Sequence, residues 1–147
     1  MSERAMRIGL IFFGALNVVT GALLLFAPDY FFDNIGPYGI ENQHYLGDAG
    51  AFYLAIGAGL LLAVQRPSWR VPLLTVSALW FGVHAINHLF DIGENNRGDS
   101  RGIGDTVLIA AGAAALAYMA RAAGRNEDAG PARPAPKPRP RDYPPGD

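Results

Sequence analysis

The 147-residue chain contains no cysteine. A disulfide framework, a thiolate metal site, a cysteine nucleophile and a thiol redox centre are therefore excluded. Charge is also scarce: Asp, Glu, Lys and Arg make up 17% of the residues and the net charge is −1. An ordinary soluble domain carries about 25% charged residues, and a dominant basic face for nucleic acid is absent. Serine is limited to Ser2, Ser68, Ser77 and Ser100, with no Gly-x-Ser-x-Gly elbow, which argues against a serine-triad hydrolase. A phosphate-cradling Gly-x-x-x-x-Gly-Lys loop, a dinucleotide fingerprint and a His-Glu-x-x-His pair are missing too.

What is present is apolar and blocked. Half of the residues are hydrophobic, and a polar tail holds the mean hydropathy down to +0.14. Residues 8–27 carry no charge and are interrupted only by Asn17 and Thr20. Residues 46–64 hold one charge, Asp48; residues 71–90 hold none, although His84 and His88 lie there; residues 102–120 hold Asp105 alone. A hydrocarbon core about 30 Å thick takes roughly 20 apolar residues per helix. Lipid cannot satisfy an open backbone, so each window must be helical. The first run is longer than a signal-peptide core and lacks a small-x-small cleavage site, so it is read as a retained span.

These windows predict an all-α integral membrane protein, a four-helix up-down bundle. With both termini cytoplasmic, ten of the twelve basic residues fall inside and only Arg97 and Arg101 outside. The positive-inside rule favours that N-in, C-in topology, in the plasma (inner) membrane. Residues 28–45 form a long outer loop whose aromatics suit the membrane surface. Residues 65–70 form a tight inner turn broken by Pro67. The membrane domain is expected over residues 1–123. Seven of the eleven prolines fall in residues 131–145. Residues 124–147 are therefore expected to be an extended, disordered cytoplasmic tail, a solvated segment of no sequence-specific role first, with docking or lipid tethering as its functional reading.

Packing between spans should come from small residues, since lipid supplies little hydrophobic drive. Ala51, Ala55, Gly59 and Ala63 repeat at i+4 on the second span, and the fourth is small throughout residues 110–115. The second and fourth spans are thus expected to be the close pair, or to carry a self-association face. Gly9, Gly14 and Gly21 form no i+4 row and receive no role. Asn17, an amide in mid-span, reads as interhelical glue first and as part of a ligand cavity second.

The chemistry gathers at the outer end. His84 and His88 share a helix face at i+4, with Trp80 one turn earlier and Asp91 three residues later. His44 precedes Asp48 by one turn, and Asp105 opens the fourth span. At about 1.5 Å rise per residue, Asp48, His84, His88 and Asp105 fall roughly 6–12 Å outward of the span midpoints. Imidazole and carboxylate together suit zinc, iron or copper, and facing bundle helices host such sites. The expected ligands are His84, His88 and Asp48, with His44 or Asp105. Haem ranks lower, and a proton-coupled or quinone-linked role would use the same groups as titrating residues. The bland alternatives are first-turn aspartates favoured by the helix dipole and a structural histidine pair. Arg97-Gly98-Asp99 matches a three-residue adhesion motif, which chance explains.

Arg7 leading into Gly9-Leu10-Ile11-Phe12-Phe13-Gly14, with Gly21 near the end of the first of four short spans, resembles the small bacterial membrane proteins grouped as DoxX-like. The resemblance implies a bacterial inner membrane protein and an accessory subunit of a redox complex; it transfers no site residues. Partners expected are the lipid bilayer and a homo-oligomer or larger membrane complex, without nucleic acid. The alternative to a metal or cofactor protein is an accessory subunit with no ligand of its own.

Overall fold

A computed structural model describes residues 1–36, 41–92 and 99–128. All its regular structure is helical: α1 (Glu3–Phe26), α2 (Pro28–Asn34), α3 (Gln43–Ala63), α4 (Arg70–Asp91) and α5 (Asp99–Asp128), with a single 3-10 turn at Pro67–Trp69 before α4. Ser2 starts α1, its hydroxyl accepting from the Ala5 N–H at 3.2 Å. Asn42 starts α3, its side-chain Oδ1 accepting from the N–H groups of His44 and Tyr45 at 3.1 and 3.2 Å. Each cap satisfies donors that a helix start leaves open. Proline opens both α2 and the 3-10 turn, where a missing N–H costs nothing.

Four helical stretches are long and apolar enough to cross a membrane: Glu3–Phe26, Gln43–Ala63, Pro67–Phe90 and Gly102–Asn126. Their outward faces carry exposed Phe12, Val19, Leu79, Val83, Leu89 and Leu108. Water-soluble monomers rarely show such a continuous apolar exterior.

Two features differ from the sequence expectation at the ends of elements. The segment between the first two spans is not all loop, because Pro28–Asn34 forms α2. Helix α5 continues to Asp128, so residues 124–128 are helical rather than extended. The rest of the expected tail, residues 129–147, lies outside the described residues, as do Arg97 and Gly98.

The larger correction concerns pairing. Helix α1 packs along α3 and α4 along α5, while α3 touches α4 and α1 touches α5 only lightly, and among the described residues α3 does not meet α5. The second and fourth spans are therefore not the close pair. On α3, Ala51 and Ala55 are exposed, and Gly59 sits against Leu73. The tight seam uses a seven-residue spacing instead, Gly14 and Gly21 of α1 against Gly57 and Gly50 of α3. A Cβ at Gly21 would lie 2.7 Å from the Gly50 carbonyl oxygen, and one at Gly57 would lie 2.7 Å from the Val18 nitrogen. Backbone meets backbone there, which only glycine permits.

The densest packing lies toward the end that holds the N-terminus and the 3-10 turn. Met6, Leu10, Leu60, Leu74 and Leu116 are almost fully buried together. Arg70 clamps that end. Its guanidinium donates to both Glu3 carboxylate oxygens at 2.7 Å, and its Nε donates to the Ala63 carbonyl at 3.2 Å. One side chain thus joins the start of α1, the open carbonyls ending α3 and the start of α4. At the opposite end, under α2, cavities replace the solid core.

Candidate functional site

The site is built on one face of α4. Trp80, His84 and His88 recur at i+4, so their rings stack up the same side of the helix. The Trp80 indole is wedged between helices, 4.5 Å from the Phe52 ring centroid and edge-on to Tyr53 at 5.8 Å, both on α3. His84 lies parallel to that indole, with centroids 5.7 Å apart and planes 4° from parallel. His88 meets His84 edge-on at 4.7 Å and is only 6% exposed. The wedge fixes the indole, and the indole fixes the His84 ring.

Three cavities open around these rings. The first, of ≈ 330 Å³, lies beneath α2 and is walled by Phe31, Phe32, Tyr45, Tyr53, His84 and His88 among others. The second, of ≈ 460 Å³, lies between α1, α4 and α5, with Phe13, Asn17, Tyr53, Phe81, His84 and Gly112 in its wall. The third, of ≈ 160 Å³, is bounded by Phe31, Ile35, His88, Asp105 and Leu108. His84 and Tyr53 belong to both of the larger cavities, and His88 to the first and third. The two larger volumes match those of small-molecule sites, roughly 300–1,000 Å³.

Asn17 is 1% exposed, and its Nδ2 donates to the Phe13 carbonyl of its own helix at 2.8 Å. Its Oδ1 has no hydrogen-bond partner among the described residues. The amide therefore makes no described hydrogen bond to another helix, contrary to the glue reading, and it contributes to the second cavity.

The expected five-residue ligand set does not assemble as one group. His84 and His88 adjoin, and Asp105 shares the smallest cavity with His88. His44 and Asp48 instead pair with each other at 3.6 Å, with side chains 81% and 69% exposed, and line none of the three cavities. Among the described residues, no three His, Asp or Glu side chains lie close enough to hold a metal ion. The reason is rotational. Tyr45, Ala49 and Tyr53 form the cavity-lining row of α3, and His44 and Asp48 sit one residue earlier, about 100° round the helix.

Sequence reasoning missed Tyr53, Phe31 and Phe32. Tyr53 had a usable signal, since it continues the i+4 row from Tyr45 through Ala49. The two phenylalanines had none beyond their aromatic character, because the helix that aims them is short and capped by no side chain.

The chain matches no family profile, no curated protein and no solved structure. The DoxX-like resemblance accordingly rests on the residues of the first span alone.

Proposed function

We propose that this is a multi-pass membrane protein, with both termini cytoplasmic, that binds a lipophilic ring compound bearing a hydrogen-bonding oxygen. The chamber between the α1/α3 and α4/α5 pairs receives it, and His84 holds its polar head. The observation that carries this reading is the position of His84, an imidazole fixed flat on Trp80 in the wall shared by both larger cavities. His84, Tyr53, Asn17 and Thr20 supply the hydrogen-bonding groups of a wall that is otherwise aromatic and aliphatic. Phe13 and Phe81, edge-on with centroids 6.2 Å apart, offer ring faces and edges to a flat guest. A guest arriving from lipid gains little from apolar burial, so selectivity rests on the hydrogen bond and on shape.

Trp80 reports occupancy directly. In a Trp69→Phe background it is the sole tryptophan, and 4-bromophenol is expected to quench its emission saturably. 4-Bromotoluene, which lacks the hydroxyl, should bind more weakly by roughly 3–10-fold, the value of one hydrogen bond. His84→Phe keeps a ring against the indole and should lose the same factor. Equal binding of both probes, or indifference to His84→Phe, would overturn the reading.

A transition metal held by His84 and His88, with Asp105 as the third ligand, is the second reading, supported by the contact between the two imidazoles. It ranks lower because no three ligands converge among the described residues. Stoichiometric zinc, iron or copper after chelator-free purification, lost in the His84→Ala, His88→Ala double variant, would raise it above the first. Haem would announce itself by its absorption bands.

A further inference from the structure

The second cavity has an unusual rim. Phe12, Leu16 and Leu108 line it while being 60%, 43% and 73% exposed. Ala111 and Ala115 line it too and are exposed. These residues lie on α1 and α5, two helices that touch only lightly. Along this cavity α5 contributes Leu108, Ile109, Ala111, Gly112 and Ala115, and the space beside Gly112 is already taken by Phe81, 2.9 Å from where a Cβ would stand. Three of those five residues are small and leave their part of the wall thinly covered. The opening falls along the middle of α1, within the apolar belt rather than at a polar end.

The α2 end is built differently. Phe31, Phe32 and Tyr45 line the first cavity there. Gln43 Nε2 donates to the Asp29 carboxylate at 2.9 Å, fastening α2 to the start of α3.

Building on the binding reading above, we infer that the ligand enters sideways from the bilayer, through the seam between α1 and α5, and not from water through the α2 end. The ligand class narrows accordingly to molecules that partition into hydrocarbon. Ionised water-soluble metabolites are excluded, since a charge at that depth costs several kcal/mol.

The absence of native cysteine makes the test clean. One variant pairs Leu16→Cys with Leu108→Cys across the seam, and another pairs Asp29→Cys with Gln43→Cys across the α2 end. Each is bridged by a bifunctional thiol reagent in nanodiscs, in the Trp69→Phe background, with the single-cysteine variants as labelling controls. Stopped-flow quenching of Trp80 by 4-bromophenol is then followed. Bridging the seam should slow association by roughly tenfold or more relative to its labelled single-cysteine controls, and bridging the α2 end should change the rate by less than about twofold. A seam bridge without effect, or an α2 bridge that slows entry, overturns the lateral route while leaving the binding reading intact. Absence of any quench in the unbridged protein removes the binding reading itself, and the lateral route falls with it.

Discussion

Asn17 is the residue at which the proposed binding role and stability make opposite demands. Its Nδ2 bonds within its own helix and its Oδ1 is buried without a partner. Replacing such a group by an apolar one of similar shape is usually neutral or stabilising. Asn17→Leu should therefore unfold at the same or a higher temperature in detergent, yet bind 4-bromophenol more weakly. A destabilised variant with unchanged binding would restore the glue role. Arg70 is the opposite case, a guanidinium 8% exposed and bonded to two helices besides its own. Arg70→Leu should cost about 2 kcal/mol, read from thermal or denaturant unfolding. Glu3→Gln should cost less than about 1 kcal/mol, because the Glu3 side chain is 59% exposed. At this scale the sequence was half legible. His84 and His88 share a face on any helix, whatever it packs against. The separation of His44 and Asp48 from them depends on how α3 is rolled about its axis, which only its tertiary neighbours decide.

Helix pairing turns on two glycines per helix. A Cβ at Gly57 would press into the backbone of α1, 2.7 Å from the Val18 nitrogen and 2.8 Å from the Gly14 oxygen. Gly57→Ala should therefore destabilise by about 1–3 kcal/mol, as overpacking does. At Gly82 nothing lies within 4 Å, so Gly82→Ala should be neutral or gain up to about 1 kcal/mol from helix propensity. Similar losses in both would refute the seam. The small i+4 row on α3 drew attention in the sequence, whereas the seven-residue spacing that packs was overlooked. Both rows are apolar and small, and nothing local distinguishes them. A pH dependence belongs to α2. Partial desolvation, a hydrogen bond to Asp29 and repulsion from Asp29 and Asp33 hold the Glu41 carboxyl above its usual range. A carboxyl raised by folding favours the folded state when protonated, and that contribution fades as pH rises through the raised value. Docking of α2 should loosen as pH rises through that raised value, seen as faster intrinsic-rate-corrected amide exchange in Pro28–Asn34. Glu41→Gln should flatten the trend.

For the whole molecule, the four apolar stretches were readable because hydrocarbon thickness dictates length and composition together. The cavities were not, because they arise from how the α1/α3 and α4/α5 pairs meet each other and α2, which no local pattern states. The exposed Ala51 and Ala55 row leaves room for an accessory-subunit role. Ala55→Leu would then release a co-purifying partner, while every histidine change would be silent. The most direct measurement is nitrogen NMR of the three imidazoles as 4-bromophenol is added, since His44 is solvent-exposed and serves as an internal reference. The His84 ring nitrogens should shift with 4-bromophenol and hold still with 4-bromotoluene, with His44 unmoved by either. Three unresponsive rings, or a His44 that moves as much as His84, would show that the chamber does not bind through His84.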